Sequence, residues 1–250
     1  MITNLVSIIT PAYKAAGFIE ATVRSVQQQD YPDWELLIVD DGSPDDTAER
    51  AKELADQDPR IRLIRQANAG PAMARQRALD EARGRYVAFL DSDDVWLPRK
   101  LSAQLAFMRD LRSPMSYTSF RRINVDGTVV GRLIQIPESL DYRALLRNTA
   151  IVTSSVILDR NVTGPFEMRQ AYYDDFVLWL TILKRGMRAH GLQEDLLRYR
   201  VVSNSVSRNK LKSAREVWRT YREIERLPLP YATWCFSNYA IQAAIKYRVF

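Results

Sequence analysis

The chain has 250 residues, 46% hydrophobic and 26% charged, an ordinary globular composition long enough for one large α/β domain or two small ones. Thirty-six basic against thirty acidic residues leave a net charge of +6, a modest excess that suits a nucleic acid, an anionic lipid surface or a phosphorylated substrate. A single cysteine, Cys235, excludes an internal disulfide, a single histidine, His190, leaves too few ligands for zinc, and no run approaches the roughly 18 uninterrupted apolar residues of a membrane span.

The N-terminal segment lacks the basic region and long apolar core of a signal peptide and reads instead as a first strand, Leu5–Thr10, ended by Pro11. Gly17–Gln29 places Phe18, Ile19, Val23 and Val26 at helical spacing. Trp34–Val39 is a second strand, cut off by Asp40-Asp41-Gly42-Ser43-Pro44, and Asp45–Ala55 a helix with Ser43 or Asp45 as its cap. Ile61–Ile64 is a third strand, Asn68-Ala69-Gly70-Pro71 a turn into the helix Ala72–Ala82, and Tyr86–Leu90 a fourth strand. Leu97-Pro98 opens a helix through Leu111. Such alternation predicts an α/β fold, a mostly parallel sheet with right-handed crossovers and helices on both faces.

After about residue 113 the pattern changes. Short strand-like runs follow at Met115–Ile123, Thr128–Ile136, Ser154–Leu158 and Leu196–Val202. Between the last two lies an apolar helix, Phe176–Lys184, ended by Gly186. A charged amphipathic helix, Leu211–Arg226, is broken by Pro228 and Pro230 before an aromatic one, about Ala232–Val249. The expected organisation is a catalytic unit over 1–210, divided into a nucleotide-binding half (1–112) and an acceptor-side half (113–210), with a helical segment over 211–250.

Four polar clusters end predicted strands: Thr10-Pro11-Ala12-Tyr13, Asp40-Asp41-Gly42-Ser43, Asn68-Ala69-Gly70 and Asp91-Ser92-Asp93-Asp94. In a parallel sheet these ends share one edge, so the four should meet in one cleft. Asp91-Ser92-Asp93-Asp94 crowds three carboxylates that repel unless they are solvated or neutralised by a cation. A polar loop with a helix-capping aspartate is the plainer alternative. Together the clusters offer an aromatic face (Tyr13), paired acceptors (Asp40, Asp41), a base at a helix start (Arg75) and a cation site. That set suits a nucleoside diphosphate. Neither a Walker loop nor a G-x-G-x-x-G fingerprint is present, so a metal-bridged diphosphate is favoured over a glycine cradle.

The strings Val6-Ser7-Ile8-Ile9-Thr10-Pro11-Ala12-Tyr13, Trp34-Glu35-Leu36-Leu37-Ile38-Val39-Asp40-Asp41-Gly42-Ser43, Asn68-Ala69-Gly70 with Ala74-Arg75, and Gly84-Arg85-Tyr86-Val87-Ala88-Phe89-Leu90-Asp91-Ser92-Asp93-Asp94 together resemble family 2 glycosyltransferases of the GT-A fold. The likeness continues through Tyr173-Asp174-Asp175-Phe176, Tyr199-Arg200-Val201-Val202 with Ser205-Val206-Ser207, and Trp234-Cys235-Phe236-Ser237-Asn238-Tyr239-Ala240. These later segments resemble the bacterial subgroup that builds teichuronic acid, capsule or O-antigen polysaccharide.

The resemblance implies an inverting, metal-dependent transfer of a sugar from a nucleotide donor, a UDP-sugar, to a hydroxyl of a glycan acceptor linked to polyprenyl diphosphate, with no nucleic-acid partner. It implies that Pro11, Tyr13, Asp41, Arg75, Asp91, Ser92 and Asp93 hold the donor, Tyr13 and Asp41 meeting the base. Asp91 would face ribose or metal and Asp93 would ligate Mn2+ or Mg2+, Asp94 being structural. Asp175 would be the general base, in an Asp174-Asp175 pair where the family commonly has Glu-Asp. Gln76 stands where the family often has Asn. By position alone Asp175 would equally serve as a helix cap.

Other side chains have plainer roles. His190 and Cys235 are expected to be structural, while Arg198, Arg200 and Lys210 stand between diphosphate binding and solvated charge. The final helix carries Tyr231, Trp234, Phe236, Tyr239, Tyr247 and Phe250 with Lys246 and Arg248. It is expected to pack on the catalytic unit, to rest on a membrane, or to do both with different faces. The expected location is the cytoplasm, at the inner face of the cell membrane. A nucleotidyltransferase on a related sheet would need a glycine-rich loop where Pro11–Gly17 has a single glycine. A nucleotide-sugar-binding module without catalysis would not need Asp91, Asp93 and Asp175 together.

Overall fold

The computed structural model describes residues 1–202 and 210–247, with side chains through residue 242 apart from Lys210. The first half alternates strand and helix: β1 (Ile2–Ala12), α1 (Ile19–Gln27), β2 (Trp34–Asp40), α2 (Thr47–Gln57), β3 (Ile61–Arg65), α3 (Pro71–Glu81) and β4 (Gly84–Phe89). All seven residues of β2 are buried, as a strand covered on both faces requires. Near its start Glu35 accepts from the Ser7 hydroxyl at 2.6 Å and from Arg83 Nη2 at 2.7 Å. Ile19, Val23 and Val26 of α1 turn inward at the spacing that predicted them.

The chain continues through β5 (Val95–Trp96), α4 (Lys100–Leu111), β6 (Met115–Ile123), β7 (Val130–Ile134), β8 (Ser139–Leu140), α5 (Tyr142–Arg147), a 3₁₀ turn (Thr153–Ser155), β9 (Ile157–Asp159) and α6 (Arg160–Thr163). Then come α7 (Asp174–Leu183), β10 (Ala189–Arg200), α8 (Lys210–Arg219), whose end widens into a π turn (Thr220–Ile224), and α9 (Leu229–Tyr247). The strands form one sheet in the order β3-β2-β1-β4-β9-β6-β10-β5, with β7 beside β6 and β8 beside β10. β1 to β4 run parallel, and β9 lies antiparallel between β4 and β6. The carboxyl ends of β1, β2 and β4 therefore share one edge, the edge on which ligands bind in open α/β sheets.

That edge needs close backbone approach. Gly42, just after β2, has φ +69°, and a Cβ there would lie 2.9 Å from the Asn68 amide. Only glycine lets the β2 and β3 loops touch.

Several elements differ from expectation, among them the run Ser154–Leu158, whose first two residues lie in the 3₁₀ turn while the strand covers Ile157–Asp159. β10 begins at Ala189, seven residues before the predicted run, because its polar first half is paired with β6 and β8 rather than chosen by its own residues. α5 is too short to show a period, though its start is capped by Asp141, which accepts from the Ala144 amide at 2.8 Å. Asp45, expected as a cap, instead accepts from the amide and hydroxyl of Thr47 and from the Ala16 amide, so it ties α2 to the β1 loop.

The aromatic residues of α9 divide between two faces. Phe236 packs edge-on against Trp218 at 5.5 Å and Cys235 is buried. Trp234 is 48% exposed and stacks on Tyr231 at 5.8 Å. Ser205-Val206-Ser207, Arg248 and Phe250, with the side chains of Lys210, Lys246 and Tyr247, lie outside the described residues. Among the described residues no helix is long and apolar enough to cross a membrane.

Candidate active site

One cavity of about 920 Å³ opens along the carboxyl edge of the sheet. Pro11, Tyr13, Asp41, Asn68 and Gly70 line one end, Arg75, Asp91, Ser92 and Asp93 its middle, and Thr153, Asp174, Asp175 and Trp179 the facing wall. Leu145, Ile151, Phe176, Val217 and Tyr239 make the far end apolar. All seven residues expected to hold a donor, and Asp175, thus meet in one space.

At the first end Tyr13 is 47% exposed, with the Lys14 ammonium over its ring at 5.4 Å. Asp41 is buried, and its carboxylate accepts from the amides of Ala69 (2.9 Å) and Gly70 (2.8 Å) and from Gln66 Nε2 (2.8 Å). Asp40, expected to share this task, lies beneath. It is fully buried, takes the Ser43 amide and sits 3.7 Å from Arg65 Nε. Alternation along a strand sends adjacent side chains to opposite faces, so the pair cannot serve one ligand.

In the middle, the Asp91–Asp94 loop is pinned from three sides. The Thr22 hydroxyl is shared between the carbonyls of Ser92 and Asp94. The Asp91 amide donates to Ser154 Oγ at 3.0 Å. Arg200 donates from its amide to Asp94 Oδ1 and from Nε to the Asp93 carbonyl, while Nη1 reaches the Val125 carbonyl at 2.6 Å. Arg200 therefore lines the cavity with its guanidinium already engaged by the chain. Arg198, which stood between diphosphate binding and solvated charge, is not among the lining residues and pairs with Asp195 at 2.5 Å.

Burial and the charge of Asp91 push the Asp93 carboxyl up to about 6. Burial, with Asp93 and Asp91, pushes Asp94 well above the usual carboxylate range. Arg200 counters Asp93 only in part. Such a cluster fits a divalent cation. Its donors are all oxygens, suiting Mg2+ or Mn2+ over zinc or copper. Among the described residues no group of three or more potential ligands is gathered. Asp91 and Asp93 would hold the ion with ligand oxygens and water completing its shell, the common arrangement for magnesium on phosphates.

Arg75 joins the two walls. Nη2 donates to Asp91 Oδ1 and Nη1 to Asp174 Oδ2, each at 2.6 Å. Burial opposes its charge, but Asp91, Asp174 and Asp175 outweigh that and hold its pKa above the ordinary value. Asp175 lies in the first turn of α7, where the cap position is Tyr173. Its Oδ1 accepts from the Phe176 amide at 2.7 Å and its Oδ2 from the Thr153 hydroxyl at 2.5 Å. Burial and Asp174 raise its pKa against the pull of Arg75, Thr153 and the Phe176 amide.

Other expectations resolve simply. Gln76 accepts from the Met168 amide at 2.7 Å and donates to Asp80 at 2.6 Å, a bracing role outside the cavity. His190 Nδ1 meets the Ser113 hydroxyl at 2.8 Å. Thr153 was not anticipated. Its signal, a run of three hydroxyl residues before an apolar strand, is common in loops.

The model of the family described as Glycosyl transferase family 2 matches residues 7–168. Over 244 residues the chain is 46% identical to TuaG of Bacillus subtilis (strain 168), assigned by name to teichuronic acid biosynthesis as a glycosyltransferase, spanning 97% of each chain. Over 227 residues it is 38% identical to WfgD of Escherichia coli, named a UDP-Glc:alpha-D-GlcNAc-diphosphoundecaprenol beta-1,3-glucosyltransferase, spanning 90% of this chain and 88% of WfgD. Among solved structures, S. aureus TarS 1–349 in complex with UDP-GlcNAc superposes with a TM-score of 0.69 at 17% identity, over 94% of this chain and 71% of that one. The mannosyltransferase PcManGT of Pyrobaculum calidifontis, in complex with GDP-Man and Mn2+, does so with a TM-score of 0.69 at 19% identity, over 98% and 75%. At those identities the likeness to the two structures is one of fold.

Proposed function

The chain belongs to glycosyl transferase family 2, and from that premise we propose that it moves a sugar from a UDP-sugar to a hydroxyl of a polyprenyl-diphosphate-linked glycan, in one inverting displacement, during bacterial surface polysaccharide synthesis. The observation that carries this reading is the meeting of Tyr13, Asp41, Asp91, Asp93 and Asp175 around one cavity. Residues 1–112 then serve the donor, residues 113–210 the acceptor, and 211–250 the approach to it. WfgD, by its name, uses UDP-Glc and a diphosphoundecaprenol-linked acceptor, and the same pair is proposed here as a class.

The donor's base stacks on Tyr13 beside Pro11. An ionised carboxylate has about four acceptor sites, and three donors of the chain already reach Asp41. One site remains for a single N–H donor, which uracil supplies at N3. Asp91, Ser92 and Asp93 face the ribose and diphosphate, with Asp91 and Asp93 as the cation's protein ligands. Bound there, Mg2+ or Mn2+ supplies the positive charge against which a diphosphate leaves. Asp175 takes the proton of the acceptor hydroxyl as it attacks. Its raised pKa moves it toward the range in which a carboxylate is an effective base near neutrality. Arg75 balances the carboxylates of both walls, so that Asp91 and Asp174 keep their places before ligands arrive.

The far end of the cavity, with Leu145, Ile151, Phe176, Val217 and Tyr239, offers apolar surface to the acceptor. The exposed face of α9 carries Thr233, Trp234, Ser237, Ala240 and Ile241 without a charge, and suits contact with a membrane surface where a lipid-linked acceptor resides.

The test is a donor panel. UDP-glucose, UDP-galactose, UDP-glucuronate and UDP-N-acetylhexosamines are incubated with Mn2+ and a short polyprenyl-diphosphate acceptor, and UDP release is measured. One donor should turn over, and EDTA or Asp93→Ala should lower kcat by about 100-fold or more. Full turnover by Asp93→Ala would remove that residue from the reaction.

A further inference from the structure

The 3₁₀ turn Thr153–Ser155 is buried and touches both walls of the cavity. The Thr153 hydroxyl donates to Asp175 Oδ2 at 2.5 Å, and Ser154 Oγ accepts from the Asp91 amide at 3.0 Å. Behind it, the Ser154 carbonyl accepts from Trp96 Nε1 at 2.7 Å, and the Ser155 carbonyl from Gln104 Nε2 at 3.0 Å and Lys100 Nζ at 3.5 Å. Lys100 and Gln104 are fully buried and bond each other at 2.8 Å, and Gln104 Nε2 donates across to Ser116 Oγ at 2.7 Å. A turn braced by three long side chains in the interior has little freedom to rotate its own hydroxyls.

Asp175 is held by two donors from two elements, the Phe176 amide on its own helix and the Thr153 hydroxyl opposite. The other charges that face it are Asp174, beside it on α7, and Arg75 from α3. Asp174 repels it and Arg75 attracts it. Without the Thr153 bond the carboxylate would keep one donor, the Phe176 amide, between the opposed pulls of Asp174 and Arg75. Resting on the assignment of Asp175 as the base, we propose that Thr153 is a positioning residue whose hydroxyl fixes the direction in which the Asp175 carboxylate faces the acceptor.

The same turn holds the backbone of Asp91, so one rigid piece sets the spacing between the base and the residues of the leaving group. Placement matters at this scale, since a shift of about 1 Å in a reacting group can cost on the order of 100-fold in rate. The Thr153 bond also favours the ionised form of Asp175 and draws its pKa down against burial and Asp174.

The experiment compares Thr153→Ser with Thr153→Ala, which differ by one oxygen, and adds the isostere Thr153→Val and Asp175→Asn. Steady-state constants for donor and acceptor, the pH profile of kcat/KM and melting temperatures are measured on the whole chain. Thr153→Ser should stay within about threefold of wild type, while the Ala and Val variants lose at least about tenfold in kcat with donor KM unchanged. Their acid limb should move to higher pH, because the ionised carboxylate has lost a donor. Equal kcat and equal acid limbs for Ser and Ala, with Asp175→Asn inactive, would overturn the role of Thr153 and leave the base assignment standing. A fall in both variants that tracks melting temperature with no shift of the acid limb would overturn it too. Wild-type turnover by Asp175→Asn would instead remove the base assignment itself, and the inference with it.

Discussion

Asp41 is the residue whose part in the site is set most fully by its neighbours. The amides of Ala69 and Gly70 both point at its carboxylate, so it shapes the loop before α3 as well as facing the cavity. Asp41→Ala should therefore raise the donor KM by about tenfold or more and leave kcat nearly unchanged, as initial rates at varied donor concentration would show; an effect confined to kcat would contradict this. Arg75 has the opposite character, since it touches Asp91 and Asp174 and binds them into one unit. Arg75→Met leaves two carboxylates without their countercharge. It should destabilise the fold by about 3 kcal/mol in denaturant unfolding, because removing one partner of a buried pair costs more than the pair was worth. Thr153 and Asp175 belong at this scale too, joined by one hydrogen bond across 22 positions of chain.

Much of the element pattern was legible. β1 to β4 and the helices between them follow directly from apolar runs and their period, and Met115–Ile123 is a strand over the predicted span. The convergence of the strand-end clusters was legible because parallel strands present their carboxyl ends at one edge. What escaped was set by tertiary partners. The first half of β10 takes its conformation from β6 and β8, and Thr153 gains its role from α7, which periodicity does not connect to it. That α9 could divide between two faces was legible, but which aromatic each face carries was not, since the sequence does not show that Phe236 packs on Trp218 while Trp234 is exposed. On this account Trp234→Ser with Ile241→Ser, both at exposed positions, 48% and 58%, should weaken binding to anionic vesicles in a co-sedimentation assay while melting temperature stays unchanged. Phe236→Ser should instead lower the melting temperature, because it strips the contact with Trp218. Unchanged vesicle binding by the first pair would remove the membrane role of α9.

At the scale of the molecule a single sheet carries both halves, with β9 joining the parallel strands β1 to β4 to the pair β6 and β10. The brace behind that junction includes Lys100, fully buried, over the Trp96 ring at 4.2 Å and bonded to Gln104 Oε1. Burial lowers its pKa well below 10.5. The sign follows from linkage: above pH 10.5 the lysine is neutral in both states and costs nothing, and as pH falls the unfolded chain binds a proton that the folded one resists. Stability is therefore lost from 10.5 downward until the folded pKa is passed. Lys100→Met should gain more relative to wild type at pH 7 than at pH 10.5 in thermal unfolding; a gain independent of pH would contradict a lysine pKa lowered by burial. Asp91, Asp93 and Asp175 line the same cavity, and the reaction proposed there is one displacement at the anomeric carbon with Asp175 as the base. The most direct test is the anomeric configuration of the product, read by proton NMR from an α-linked UDP-sugar that the enzyme turns over. A β-linked product is predicted, and an α-linked product would contradict the single displacement by Asp175.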